Sequence, residues 1–168
     1  TVQTLDNAGE VLITAQYDGD GIPFVDANGD GIPDALTSSA LRAYSAMDYD
    51  EQGRVYKTTQ YSVDPSSGAT SGSLTLVTET WYDHRGDTIA TWSSGSPMTK
   101  MTYDGAGRVT ATYTTDGGAV NNTTSAGTIL TDWADAGTIG NDVVLSQVEN
   151  QYDNHRTVIL ATDREAVN

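Results

Sequence analysis

Apolar and polar residues alternate with period two over short runs along most of the chain, and most of these runs follow a compact turn signal. One register recurs five times: "TLDNAGEVLITAQY" (4–17), "DYDEQGRVYKTTQY" (48–61), "WYDHRGDTIATWSS" (81–94), "TYDGAGRVTATYTT" (102–115) and "QYDNHRTVILATDR" (151–164). An aspartate stands at the same place in each: Asp6, Asp50, Asp83, Asp104 and Asp153. Three residues later comes Gly9, Gly53, Gly86 or Gly107, with Arg156 in the last copy. The residue before the aspartate is Leu5 in the first copy and Tyr49, Tyr82, Tyr103 and Tyr152 in the others.

Turn chemistry explains the spacing. A carboxylate at the first turn position accepts backbone N–H groups two residues on, and a left-handed glycine closes a tight turn with a bulge. Arg156 would be strained in that conformation, so the fifth turn reads as degenerate. Beyond each turn the inward positions are Val11, Ile13 and Ala15; Val55, Lys57 and Thr59; Thr88, Ala90 and Trp92; Val109, Ala111 and Tyr113; and Val158, Leu160 and Thr162. Period two predicts strands, and strand-like runs also precede the turns at 41–49, 73–82, 98–103 and 143–152. Residues 62–72 ("SVDPSSGATSG") and 116–127 read as loops, while 34–46 and 131–138 have room for a helical turn or two. The expected fold is all-β: one module over 1–168, built from antiparallel hairpin repeats that form a curved or spiralling sheet, with an acidic insertion at 18–34. Strand residues before Asp6 and after the fifth turn are expected to leave unpaired edges that pair with a copy or with flanking repeats.

Composition narrows the function. A net charge of −15 argues against nucleic acid and anionic membrane as partners. The absence of cysteine excludes a disulfide scaffold and thiolate metal sites. No apolar run is long enough to insert in a bilayer as a helix. No signal peptide is visible and the chain starts at Thr1, which reads as a mature form or a fragment of something longer. With one Phe against nine Tyr and three Trp, aromatic burial falls to residues with a polar tip, which suits half-exposed sheet faces.

The recurrent "YDEQGR" and "YDGAGR", with "YDHRGD" close to them, resemble the YD repeat of the bacterial Rhs and animal teneurin families. The resemblance implies long strands spiralling into shells on secreted or surface proteins, some of which encapsulate a toxin. It implies no catalytic residue here.

The insertion "DGDGIPFVDANGDGIPD" (18–34) is similar to the calcium-binding repeats of thrombospondin type 3. Asp26, Asn28, Asp30 and Asp34 alternate as oxygen ligands, with a backbone carbonyl from Ile32, and Asp18 and Asp20 open a partial preceding copy. The expected cofactor is structural calcium; the plain alternative is a solvated acidic loop.

No nucleophile elbow, phosphate loop or His-Glu metal motif is present. His84 and His155 fall in turns, and Asp83 is already explained by the turn register. Trp81, Trp92 and Trp133 either pack across strands or stack on glycans. Asn121 and Asn122 head overlapping glycosylation sequons. The expectation is a non-enzymatic structural module, extracellular or on the cell surface, that assembles through β-edges into a fibre, stalk or shell. The alternatives are an adhesion or glycan-binding module and a fragment of a toxin-encapsulating shell.

Overall fold

A computed structural model describes residues 1–18, 38–117, 136–153 and 158–165. Ten strands are formed: β1 (Val2–Leu5), β2 (Val11–Tyr17), β3 (Leu41–Tyr49), β4 (Val55–Val63), β5 (Thr70–Tyr82), β6 (Thr88–Ser93), β7 (Met98–Tyr103), β8 (Val109–Thr115), β9 (Val144–Tyr152) and β10 (Val158–Glu165). They lie in sequence order in one antiparallel sheet that does not close. The fold is therefore all-β, as the alternation predicts. Two sequence expectations change. Within 34–46, the described helical content is a single 3-10 turn at Ser38–Ala40, because residues from Leu41 onward pair with β2. The stretch 62–72 is not a loop but a hairpin corner, with β4 ending at Val63 and β5 starting at Thr70.

The corner at Asp64 uses the same chemistry at one residue longer spacing. The Asp64 carboxylate accepts the N–H groups of Ser66 (2.8 Å) and Ser67 (3.0 Å). Gly68, at φ +69°, donates its N–H to the Asp64 carbonyl at 2.8 Å. Pro65 presets the first corner dihedral.

The chain forms two compact units, Thr1–Val77 and Thr78–Asn168. In the first, Ala15, Tyr44 and Tyr61 face one another across three strands, and the two tyrosine rings meet edge to face at 5.2 Å. The core here is thin: Ala15, Leu41 and Val77 are buried, while Leu74 and Leu76 are more than 60% exposed.

In the second unit one sheet face is covered. Glu79, Trp81, Ala90, Trp92, Met98, Lys100, Ala111 and Thr115 are all buried. Residues 136–143 reach over it: the Lys100 ammonium donates to the Thr138 carbonyl at 2.6 Å and lies 2.8–3.0 Å from both oxygens of Asp142. The side chains of that pair are 3% and 0% exposed. The opposite face carries a row of hydroxyls, in which cross-strand register places Thr80, Thr91, Thr99, Thr114 and Ser146 side by side. β-branched threonines suit a half-exposed pleated surface.

A bulge divides the inward set between the two faces, because Val109 is opposite Tyr103 and Ala111 opposite the adjacent Thr102, and the set is only partly buried. Ala15, Ala90, Trp92 and Ala111 are buried, but Val158 and Leu160 are each 48% exposed. They sit on β10, which among the described strands has a neighbour on one side only.

Candidate functional site: the aspartate turns and the bonds between repeats

In a meander of antiparallel neighbours, alternate connections share a rim, so within each unit the repeated aspartate turns fall on one rim and the other connections on the opposite one. The four turns at Asp6, Asp50, Asp83 and Asp104 have one geometry. Oδ1 of each aspartate accepts the N–H groups of the second and fourth residues after it at 2.8–3.0 Å. The glycine N–H donates to the aspartate carbonyl at 3.0–3.2 Å, and the aspartate N–H closes on the carbonyl four residues on. The four glycines lie at φ between +74° and +92°, where a Cβ is strained. Of the fifth turn, Asp153 is described and the residues after it, His155 included, lie outside the described residues.

The arginine of the motif locks the carboxylate from the other side. Nε and Nη2 of Arg54 both reach Oδ2 of Asp50 at 2.7 Å. Arg108 does the same to Asp104, at 2.7 and 2.6 Å. The third turn has Asp87 at this position, and Arg85 substitutes, contacting Asp83 at 3.4 Å and Asp87 at 3.0 Å. The aspartates that open the turns are held below the ordinary carboxylate range. The Arg108 side chain, then its backbone N–H, draws Asp104 down to about 2. The Ser66 hydroxyl and N–H, with the Ser67 N–H, draw Asp64 to about 2. Asp6 is also lowered, chiefly by the Glu10 N–H. Glu10 itself is raised, first by desolvation and then by the charges of Asp6 and Asp50.

Every described strand pair that flanks a repeated turn carries the same irregularity. Two residues of the second strand oppose one of the first, which places the extra residue at Leu12, Tyr56, Ile89, Thr110 and Ile159, six after each aspartate. A bulge disrupts the ladder locally and re-aims the backbone. In three junctions the carbonyl just before it is taken by the tyrosine of the next repeat. Tyr49 donates to Val11 at 3.1 Å, Tyr103 to Thr88 at 2.6 Å and Tyr152 to Val109 at 2.7 Å. A second link runs from arginine to the next turn: Arg85 to the Asp104 carbonyl at 3.5 Å, and Arg108 to the Asp153 carbonyl at 3.2 Å. The Arg108 guanidinium also lies 4.8 Å over the Tyr152 ring, a cation–π contact. Each letter of Y-D-x-x-G-R thus has a backbone or neighbour to bind.

Trp81 and Trp92 are each 5% exposed, in the covered face, so they pack rather than offer a stacking surface. Trp133, Asn121 and Asn122 lie outside the described residues, as do Asp20, Asp26, Asn28, Asp30, Ile32 and Asp34. Asp18 is described: its N–H bonds the Ala40 carbonyl at 2.8 Å and its carboxylate meets Arg42 at 3.2 Å. Among the described residues no three His, Cys, Asp or Glu side chains are grouped to hold a metal ion. No helix among them is long and apolar enough to cross a membrane. His84 is exposed in its turn.

Sequence reasoning found the turns and the bulge at their glycines but missed the further bulge six residues after each aspartate, the tyrosine bonds, the Asp64 corner and the Lys100–Asp142 pair. Two carried a signal: "VDPSSG" holds the same Asp and Gly one residue further apart, and Lys100 alternates with the inward Met98.

No protein-family profile and no curated protein matches the chain. Among solved structures it is similar to one titled TcdB2-TccC3-TEV, with a TM-score of 0.34 and 13% identity. That match covers 98% of this chain and 9% of the other.

Proposed function

We propose that this chain is a non-enzymatic structural module of an extracellular or cell-surface protein, a stretch of YD-repeat sheet that joins flanking repeats or further copies through its strand edges to build a fibre, stalk or shell. A toxin-encapsulating shell is one form such an array takes. The observation that carries the reading is the set of bonds between repeats: tyrosine hydroxyl to bulge carbonyl and arginine to the next turn's carbonyl. The polar groups that define the motif are engaged in holding one repeat to the next, which is what an array requires and a reaction does not. In this reading the acidic loop at 18–34 takes calcium, and its role is to stiffen the insertion between the first two repeats.

Association is the test. Sedimentation velocity and negative-stain microscopy over a concentration series, with and without an added YD-repeat hairpin peptide (residues 98–117), are expected to show assembly or capture. A chain that stays a monodisperse monomer and binds no such hairpin overturns the proposal.

A further inference from the structure

We propose that the outer edge of β10 is a docking edge for a further hairpin strand bearing a tyrosine ahead of an Asp-x-x-Gly turn, with the tyrosine hydroxyl donating to the carbonyl of Val158. The inference rests on the structural reading above and adds the edge, the acceptor and the kind of strand that fits.

The acceptor follows from the repeat geometry. In three junctions the tyrosine donates to the residue five after the preceding aspartate: Val11, Thr88 and Val109. Val158 is the residue five after Asp153. It precedes the same bulge, since Val158 faces Tyr152 while Leu160 faces Gln151. The side chains give an independent indication. In the fourth repeat, where β9 lies alongside β8, Ala111 is 5% exposed and Val109 is half-buried. At the corresponding places on β10, Val158 and Leu160 are both 48% exposed. A strand added there covers two apolar side chains and pairs an edge of backbone groups, the usual basis of strand addition.

The donor chemistry selects the occupant. The first strand of a second copy would bring Leu5, which has no hydroxyl, to the Val158 carbonyl; repeats two to five all carry tyrosine there. The matching partner is therefore a tyrosine-bearing repeat and not the β1 strand of another copy. The arginine link is dispensable at such a junction. The first repeat has Glu10 where Arg108 stands in the fourth, and the Tyr49 bond to Val11 is nevertheless made. The fifth repeat has Thr157 at that place, so its junction resembles the first.

The experiment uses the full chain and a synthetic peptide of residues 98–117, which contains Tyr103 and its turn, read by hydrogen exchange with mass spectrometry. Exchange over 158–165 is expected to slow several-fold on adding peptide, with no change over 2–5. A Tyr103→Phe peptide is expected to bind roughly 2- to 10-fold more weakly, the equivalent of one net hydrogen bond. Leu160→Lys in the chain, at an exposed side chain, is expected to abolish protection without altering the melting temperature. Protection over 2–5 instead, equal affinity of the two peptides, or no protection of 158–165 at millimolar peptide overturns the proposal. So does concentration-dependent protection of 2–5 and 158–165 together without peptide, which would make a second copy the occupant. Binding elsewhere on the chain refutes this edge while leaving the array reading intact; failure of both binding and assembly refutes the array reading as well.

Discussion

Two glycines two residues apart in "YDGAGR" respond oppositely to the same substitution. Gly107 lies at φ +76°, and a Cβ built on it meets Asp87 Oδ2 at 3.9 Å, an ordinary contact. The cost of Gly107→Ala is therefore conformational: holding an L-residue left-handed costs about 1–2 kcal/mol. Gly105 has no positive φ and nothing within 4 Å of its Cβ position. Gly105→Ala instead reduces the freedom of the unfolded chain and stabilises by about 0.4–1 kcal/mol. The two variants should differ by about 1.5–3 kcal/mol, or about 3–12 °C in melting temperature at roughly 2–4 °C per kcal/mol for a chain of this size. Urea denaturation followed by far-UV circular dichroism, with calorimetry as a second probe, reads the difference. Equal effects would refute the turn assignment, because then the third residue after the aspartate would not need the left-handed region. Gly53→Ala extends the test to the first unit. At φ +74° it has the same backbone cost, and its Cβ would come within 2.7 Å of Glu10 Oε1. That oxygen is the end of a flexible side chain, so Gly53→Ala is expected to cost only slightly more than Gly107→Ala, with Glu10→Ala removing the excess.

Lys100→Met leaves the Asp142 carboxylate buried without its ammonium and should cost about 3–5 kcal/mol, whereas Lys100→Met with Asp142→Leu should recover most of it; a double-mutant cycle by denaturation checks this, and additive single effects would contradict the pair. Asp64 and Asp104 have folded values lowered from 3.8 to about 2, so their contribution is present above pH 3.8 and lost as pH falls toward 2. Glu10 is raised, so its ionisation opposes folding above its folded value, and Glu10→Gln should stabilise the chain at pH 7 but not at pH 3; melting temperatures across pH 2–7 test both signs. Calcium should raise the melting temperature and a chelator lower it, with Asp26→Asn plus Asp30→Asn abolishing the response; an unchanged melt on chelation counts against calcium in the 18–34 loop.

The sequence by itself determined what depends on local chemistry. Asp at the first corner position and Gly three residues on specify a turn whatever surrounds it, so Asp6–Gly9, Asp50–Gly53, Asp83–Gly86 and Asp104–Gly107 were legible, as were the alternating strands beside them. The Asp64 corner escaped because its extra residue shifts the same pair out of register. Tertiary structure decided everything set by what lies alongside. Val109 and Val158 occupy the same place in their repeats, yet the first is half-buried and the second 48% exposed, because among the described strands one has a following neighbour and the other does not. The tyrosine bonds and the arginine's second link, beyond its contact with the aspartate of its own turn, also lay beyond local reading. Their partners, the Val11, Thr88 and Val109 carbonyls and those of Asp104 and Asp153, belong to neighbouring repeats. Lys100 lies on the buried face beside Met98, and only the return of residues 136–143 across the sheet supplied Asp142 to neutralise it. A turn is encoded within four residues, but a bond between repeats exists only once the sheet has brought distant backbone within about 3 Å.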